Sequence, residues 1–261
     1  MGVDYVLPHP CPVRSDLGEA GLRRWAFLYM VFKYLRDHPA ESASETGPWQ
    51  LPSTSAFPEK EREFKRKEVE EVGQKIATHL KHCAQCPANM DPASDEFGCI
   101  GRVNYPIESC FEEFLADRTQ RVLDRLESGE WPAFLALVQK GGFDGRSIAR
   151  LRSLRLAREE HLLELPDALP LKRVGDGLNT NHLLEGMLGL RNPDAGSVYS
   201  REIPRDLAGA WLDFYSGVLY ATLPEERVTR FSRSCSTYLQ FRWLHRALRL
   251  AWKLGLPVWL D

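Results

Sequence analysis

Cys83, Cys86, Cys99 and Cys110 lie within 28 residues at the spacing C-x2-C-x12-C-x10-C, and no other set in the chain is better suited to chemistry. Two thiolates two residues apart in a turn can converge on one metal ion. Pro87, directly after Cys86, stops any preceding helix from continuing through the pair. Gly98 and Gly101 flank Cys99 and permit the close backbone approach a ligand loop needs. Cys110 follows Ser109 at the expected start of a helix, where free amides and the positive end of the helix dipole favour a thiolate. The spacing therefore predicts a metal-binding insertion over 83–110.

A zinc ion is slightly favoured as the cofactor, since four thiolates close a tetrahedral shell, although a second C-x2-C is missing. An iron-sulfur cluster is the alternative, because it tolerates wider ligand spacing and a proline directly after a ligand cysteine. His82, His79 or Cys11 could replace Cys110 as fourth ligand. In the iron-sulfur reading, a redox enzyme or sensor, Tyr105, Glu108 and His82 would line the approach to the cluster. Three competing readings remain: a redox C-x2-C pair, structural disulfides and four unrelated cysteines. The first needs its pair at a helix start after a strand, and the second an oxidising compartment.

Two further patterns could carry function. Lys140, Arg146, Arg150, Arg152, Arg155 and Arg158 face one acid, Asp144, and a second basic set (Arg242, Arg246, Arg249 and Lys253) lies on the last long helix. Together they could hold a phosphate backbone, with Arg146, Arg150, Arg152, Arg155, Arg246 and Arg249 as contacts, or they could be solvated helix faces. The tetrapeptide HLLE occurs at 161–164 and 182–185, but di-iron carboxylate bundles use Glu-x-x-His in the opposite order, so coincidence is the simpler reading. No G-x-S-x-G, H-E-x-x-H, P-loop or G-x-G-x-x-G motif occurs, which counts against the commonest hydrolase, metalloprotease, NTPase and dinucleotide classes. Cys235, on an apolar stripe, reads as core.

The elements that must position these residues are mostly helical. Val3–Leu7 has short-strand character, and Val258–Leu260 could pair with it on one small sheet. A helix capped by Ser15 and Asp16 should reach about Asp37, and 38–58, rich in Ser and Pro, should be a mobile loop. Eleven of the thirteen residues from Glu59 to Glu71 are charged with mixed sign, which predicts a solvated helix supported by the pairs Glu61–Lys65 and Glu63–Lys67 and running to about Leu80. Ser109 and Glu112 resemble a capping box ahead of the next helix. Further helices are expected over 131–139, 146–163, 178–190 and 205–221, and a last one from Pro224 to Gly255.

The whole reads as one mainly α domain over 1–261, an irregular helical bundle with a small terminal β element and a Cys-rich metal-binding loop. The 261 residues carry 34 basic and 36 acidic side chains, so bulk charge names no partner. The longest apolar run is too short to cross a bilayer, and no secretory leader or myristoylation pattern opens the sequence. The expectation is a cytoplasmic metal-binding protein with a protein or nucleic-acid partner and no membrane, whose cysteines stay reduced.

Overall fold

The structure, a computed structural model, describes residues 2–17, 22–38, 49–50, 63–91, 97–104, 107–125, 132–150, 168–171, 177–189, 201–203, 205–220 and 235–260. In chain order the strands are β1 (Gly2–Val6), β2 (Trp49–Gln50), β3 (Glu63–Phe64), β4 (Ile100–Asn104), β5 (Arg201–Glu202) and β6 (Trp259–Leu260). The helices are α1 (Pro12–Leu17), α2 (Leu22–Asp37), α3 (Arg66–Ala77), α4 (Leu80–Ala84), α5 (Ser109–Leu123), α6 (Ala133–Lys140), α7 (Thr180–Leu188), α8 (Arg205–Tyr220) and α9 (Ser236–Leu254). Residues 146–150 are also helical. The described residues are mostly helical with a small sheet, and none of their helices is long and apolar enough to cross a membrane. Packing separates the chain into two compact units, His9–Gly98 and Met1–Pro8 with Cys99–Asp261.

In the unit His9–Gly98, α3 repeats buried positions at Val69, Val72, Gly73 and Ile76, the three-and-four spacing of one helix face. That face packs on α2, where Gly73 leaves room for the Phe32 ring that a Cβ would strike. Three sequence expectations are corrected here. The mobile loop expected over 38–58 contains β2, whose Trp49 and Gln50 pair antiparallel with Phe64 and Glu63 of β3. Glu63 is therefore in a strand, and the charged helix begins only at Arg66, so its ion pairs are Arg66–Glu70 (3.0 Å) and Lys67–Glu71 (3.7 Å) rather than the two expected. Ser15 and Asp16 also lie inside α1 and do not cap the long helix, which starts at Leu22.

In the other unit the strands form an antiparallel sheet in the order β4-β1-β6-β5. The pairing expected between the first and last segments is present, with Tyr5 opposite Leu260 and Val6 opposite Trp259. Tyr5 is buried and crosses over Gly101 on β4, so a side chain at 101 would collide with its ring. Helix α9 packs on β4 and on α8, and α8 packs in turn on α5 and α6. Phe111 stacks on Phe241 at 4.4 Å between centroids, and Phe134 meets Phe214 and Tyr215 at 5.5 and 5.3 Å, so aromatic side chains fill the interior. Gly255 ends α9 in the left-handed conformation (φ 67°), with Leu256 N donating to Ala251 O at 2.9 Å.

Candidate functional site

Cys83 and Cys86 belong to the unit His9–Gly98. Cys83 is buried near the end of α4, and the chain then turns, with Cys86 N donating to Cys83 O (3.1 Å) and Asn89 N to Cys86 O (2.9 Å). The Asn89 side chain closes the turn by donating to Cys83 O at 3.1 Å. Burial pushes the Cys86 thiol up, and the neighbouring Cys11 sulfur adds to that shift, while the backbone amides of Ala88 and Asn89 pull it down. Cys11 accepts from Arg14 N at 3.4 Å at the start of α1, which packs on α4. Among the alternative fourth ligands, Cys11 is therefore the one whose influence reaches Cys86. His79 is held by Asp16 at 2.6 Å, and His82 is exposed.

Cys99 and Cys110 belong to the other unit. Cys99 is half-buried just ahead of β4, and its carbonyl accepts from Leu7 N at 2.9 Å. Cys110 stands at disulfide-bonding distance from Cys235, 125 residues away, with Cα atoms 6.3 Å apart. In that bond it has no thiolate to offer a metal. Among the described residues, the grouping of three ligand-type atoms within 4.8 Å of one another is Glu108, Cys110 and Cys235, not the four cysteines of the spacing pattern.

Sequence reasoning missed this pairing. Cys110 sits in the first turn of α5 and Cys235 is the N-cap of α9, so two helix starts meet. Glu108, the N-cap of α5 in place of the expected Ser109, joins them: Thr237 N and Ser236 Oγ donate to its carboxylate at 2.8 and 3.0 Å, and its own amide donates to Thr237 Oγ1 at 3.2 Å. Cys110 Sγ lies 3.9 Å from Glu108 Oε2. Glu112, expected in a capping box, is instead buried and accepts from Thr180 Oγ1. The sequence placed Cys235 within a helix running from Pro224, whereas Cys235 is extended and α9 begins at Ser236, so no local signal marked the pair.

The second HLLE copy has structural partners. His182 closes a capping box with Asn179 at the start of α7, and Glu185 is fully buried with its carboxylate at the start of the helical segment 146–150. It accepts from the amides of Gly145, Ser147 and Ile148 at 2.7, 2.5 and 3.3 Å. The first copy lies outside the described residues.

Arg146, exposed, is paired with Asp144 at 3.3 Å; Arg150 is exposed; Arg152 and Arg155 lie outside the described residues. The stronger basic feature is α9, which has no acidic residue. Its described outer residues line an open groove of about 740 Å³: Leu239, Arg242, Trp243, Arg246, Arg249, Leu250 and Lys253, with His245 at the base. Leu239 and Trp243 are 40% and 37% exposed, and the Arg246 guanidinium lies 5.5 Å over the Trp243 ring. Among the described residues Arg246, Arg249 and Lys253 form no ion pair.

His245 joins this face to the interior. Its ring stacks on Trp211 at 5.5 Å, and Nε2 lies 3.2 Å from Ser216 Oγ. Burial, with Arg249 and Arg242 nearby, lowers its pKa to about 4. The unfolded chain binds this proton at about 6.5, so the stability it contributes is present above that pH and lost as pH falls toward 4. Urea unfolding across that window should show a loss of about 3 kcal/mol from this group, and His245→Gln should flatten the curve. A variant with the wild-type pH dependence would contradict the assignment.

Comparison of the chain with protein-family models, with curated proteins and with solved structures finds no match to any of them.

Proposed function

We propose that the protein binds single-stranded nucleic acid along the outer face of α9. One observation carries this reading: an open groove whose described lining combines three arginines and a lysine with exposed Trp243 and Leu239, on a helix without an acidic residue. Cations at 242, 246, 249 and 253 recur every three or four residues and so form a row along one face, matched to a string of phosphates. An aromatic ring in that row offers a surface on which an unpaired base can stack. The net charge of -2 makes the attraction local to this face.

Fluorescence anisotropy of a labelled oligothymidylate at low salt tests it. The triple variant Arg246→Ala, Arg249→Ala, Lys253→Ala should bind at least about tenfold more weakly, because it cannot release the counterions of three phosphates. Equal binding by the variant, or no binding by the wild type, rejects the reading.

A metal-binding function at the C-x2-C turn is a second reading, favoured by the turn geometry at Cys83 and Cys86 and by the electrostatic influence of Cys11 on Cys86. A cytoplasmic setting would keep these cysteines reduced, the state from which zinc or an iron-sulfur cluster takes its sulfur ligands. Elemental analysis of anaerobically purified protein is expected to give near-stoichiometric zinc, or else iron with absorption at about 400 nm that dithionite bleaches. Neither metal would reject it.

A further inference from the structure

We propose that Cys110 and Cys235 form a site of reversible thiol–disulfide exchange with small-molecule thiols of the glutathione class, and that exchange enters only at Cys110. The pair lies at bonding distance, and its two sulfurs differ in access: Cys110 is half-buried, whereas Cys235 is fully buried at the N-cap of α9. This difference in burial makes Cys110 the point of entry we assign to an incoming thiolate, with Cys235 shielded. Attack forms an S–S bond between the small thiol and Cys110, breaks the Cys110–Cys235 bond and leaves the electron pair on Cys235. The start of α9, a helix of nineteen residues, places the positive end of the helix dipole at that leaving sulfur.

A second small thiol then attacks its counterpart in the mixed disulfide and releases Cys110. Two small thiols are oxidised to one small disulfide, the protein disulfide is reduced to two thiols, and the two protons of the small thiols pass to the two cysteines. Oxidation by the small disulfide runs the same steps backward. Glu108 Oε2, 3.9 Å from Cys110 Sγ, is placed to accept a hydrogen bond from the released Cys110 thiol.

The two helix starts do not depend on the S–S bond for their contact. Glu108 holds Ser236 and Thr237 at 3.0 and 2.8 Å, and Thr237 Oγ1 receives the Glu108 amide. Reduction should therefore leave the helices in place, and the exchange should be a local event in a folded protein. This inference is independent of the nucleic-acid reading.

The full chain, equilibrated over a series of reduced-to-oxidised glutathione ratios, acid-quenched, denatured and alkylated, is read by intact mass. Six alkyl groups are expected at the reducing end and four at the oxidised end, with Cys110 and Cys235 recovered as the linked peptide and circular dichroism unchanged between the two. With oxidised glutathione, Cys235→Ser should trap a mixed disulfide on Cys110, while Cys110→Ser leaves Cys235 unmodified. A pair that stays reduced or oxidised at every ratio, or glutathione found on Cys235, overturns the proposal. Should either serine variant fail to fold, the wild-type titration and the position of its quenched mixed disulfide give the same decision.

Discussion

Glu185→Ala should lose about 3–5 kcal/mol of stability, one of the two largest effects we expect from a single side chain. The carboxylate is fully buried and serves three backbone amides: Oε2 takes Gly145, and Oε1 takes Ser147 and Ile148. Truncation leaves three donors at the start of a helical segment with no acceptor and opens a cavity beside α7. Burial raises the pKa of this carboxyl, opposed by the three amides that favour its charged form. Glu185→Gln keeps one carbonyl oxygen for Ser147 and Ile148 but turns an amide group toward Gly145 N, so an intermediate loss of about 1–2 kcal/mol is expected. Urea unfolding at neutral pH checks both. An alanine variant within about 1 kcal/mol of wild type would mean that these amides have another acceptor.

Trp211→Ala should cost a similar amount, about 3–5 kcal/mol, through lost burial and a cavity that neighbouring rings cannot fill. Trp211 is fully buried on α8, 5.0 Å from the Tyr215 ring and 5.5 Å from His245 of α9. It supports the inner side of the helix whose outer side carries the basic row. The thermal midpoint of this variant should therefore fall by many degrees, whereas Trp243→Ala, on the exposed side, should leave it nearly unchanged and weaken oligonucleotide binding. Equal destabilisation by the two would contradict the inside-outside assignment of α9.

What could be read from the residues alone follows from the range of the interactions involved. Helices α6 to α8 and the body of α9 were legible because buried side chains recur every three or four residues and glycine or proline marks their ends, as Gly255 and Pro257 do after α9; the start of α9 was not, since the expected helix ran through Cys235, which is extended. The terminal strand pairing was legible because both short segments are rich in β-branched and aromatic residues. Strands β2 and β3 were not, since two residues cannot display a period of two.

The cysteines show the same limit. The turn at Cys83 and Cys86 is local, and its spacing announces it. The approach of Cys110 to Cys235 spans 125 residues and depends on Glu108 bridging two helix starts, which no local pattern encodes. The expectation that all cysteines stay reduced further hid it. Ser109 and Glu112 fitted a capping box by type, but Glu108 holds the N-cap position, its carboxylate is taken by Ser236 and Thr237 at the start of α9, and Glu112 is drawn inward to Thr180.

The central claim is that phosphates lie along the cationic face of α9, and the salt dependence of oligonucleotide binding tests it most directly. Four cations displacing counterions from a single strand predict a slope of log K against log salt of about -3, so a fourfold rise in salt should weaken binding about sixty-fold. In the triple variant lacking Arg246, Arg249 and Lys253 the slope should fall to about -1. A slope that is flat in the wild type, or equal in the two proteins, would place any binding elsewhere on the molecule.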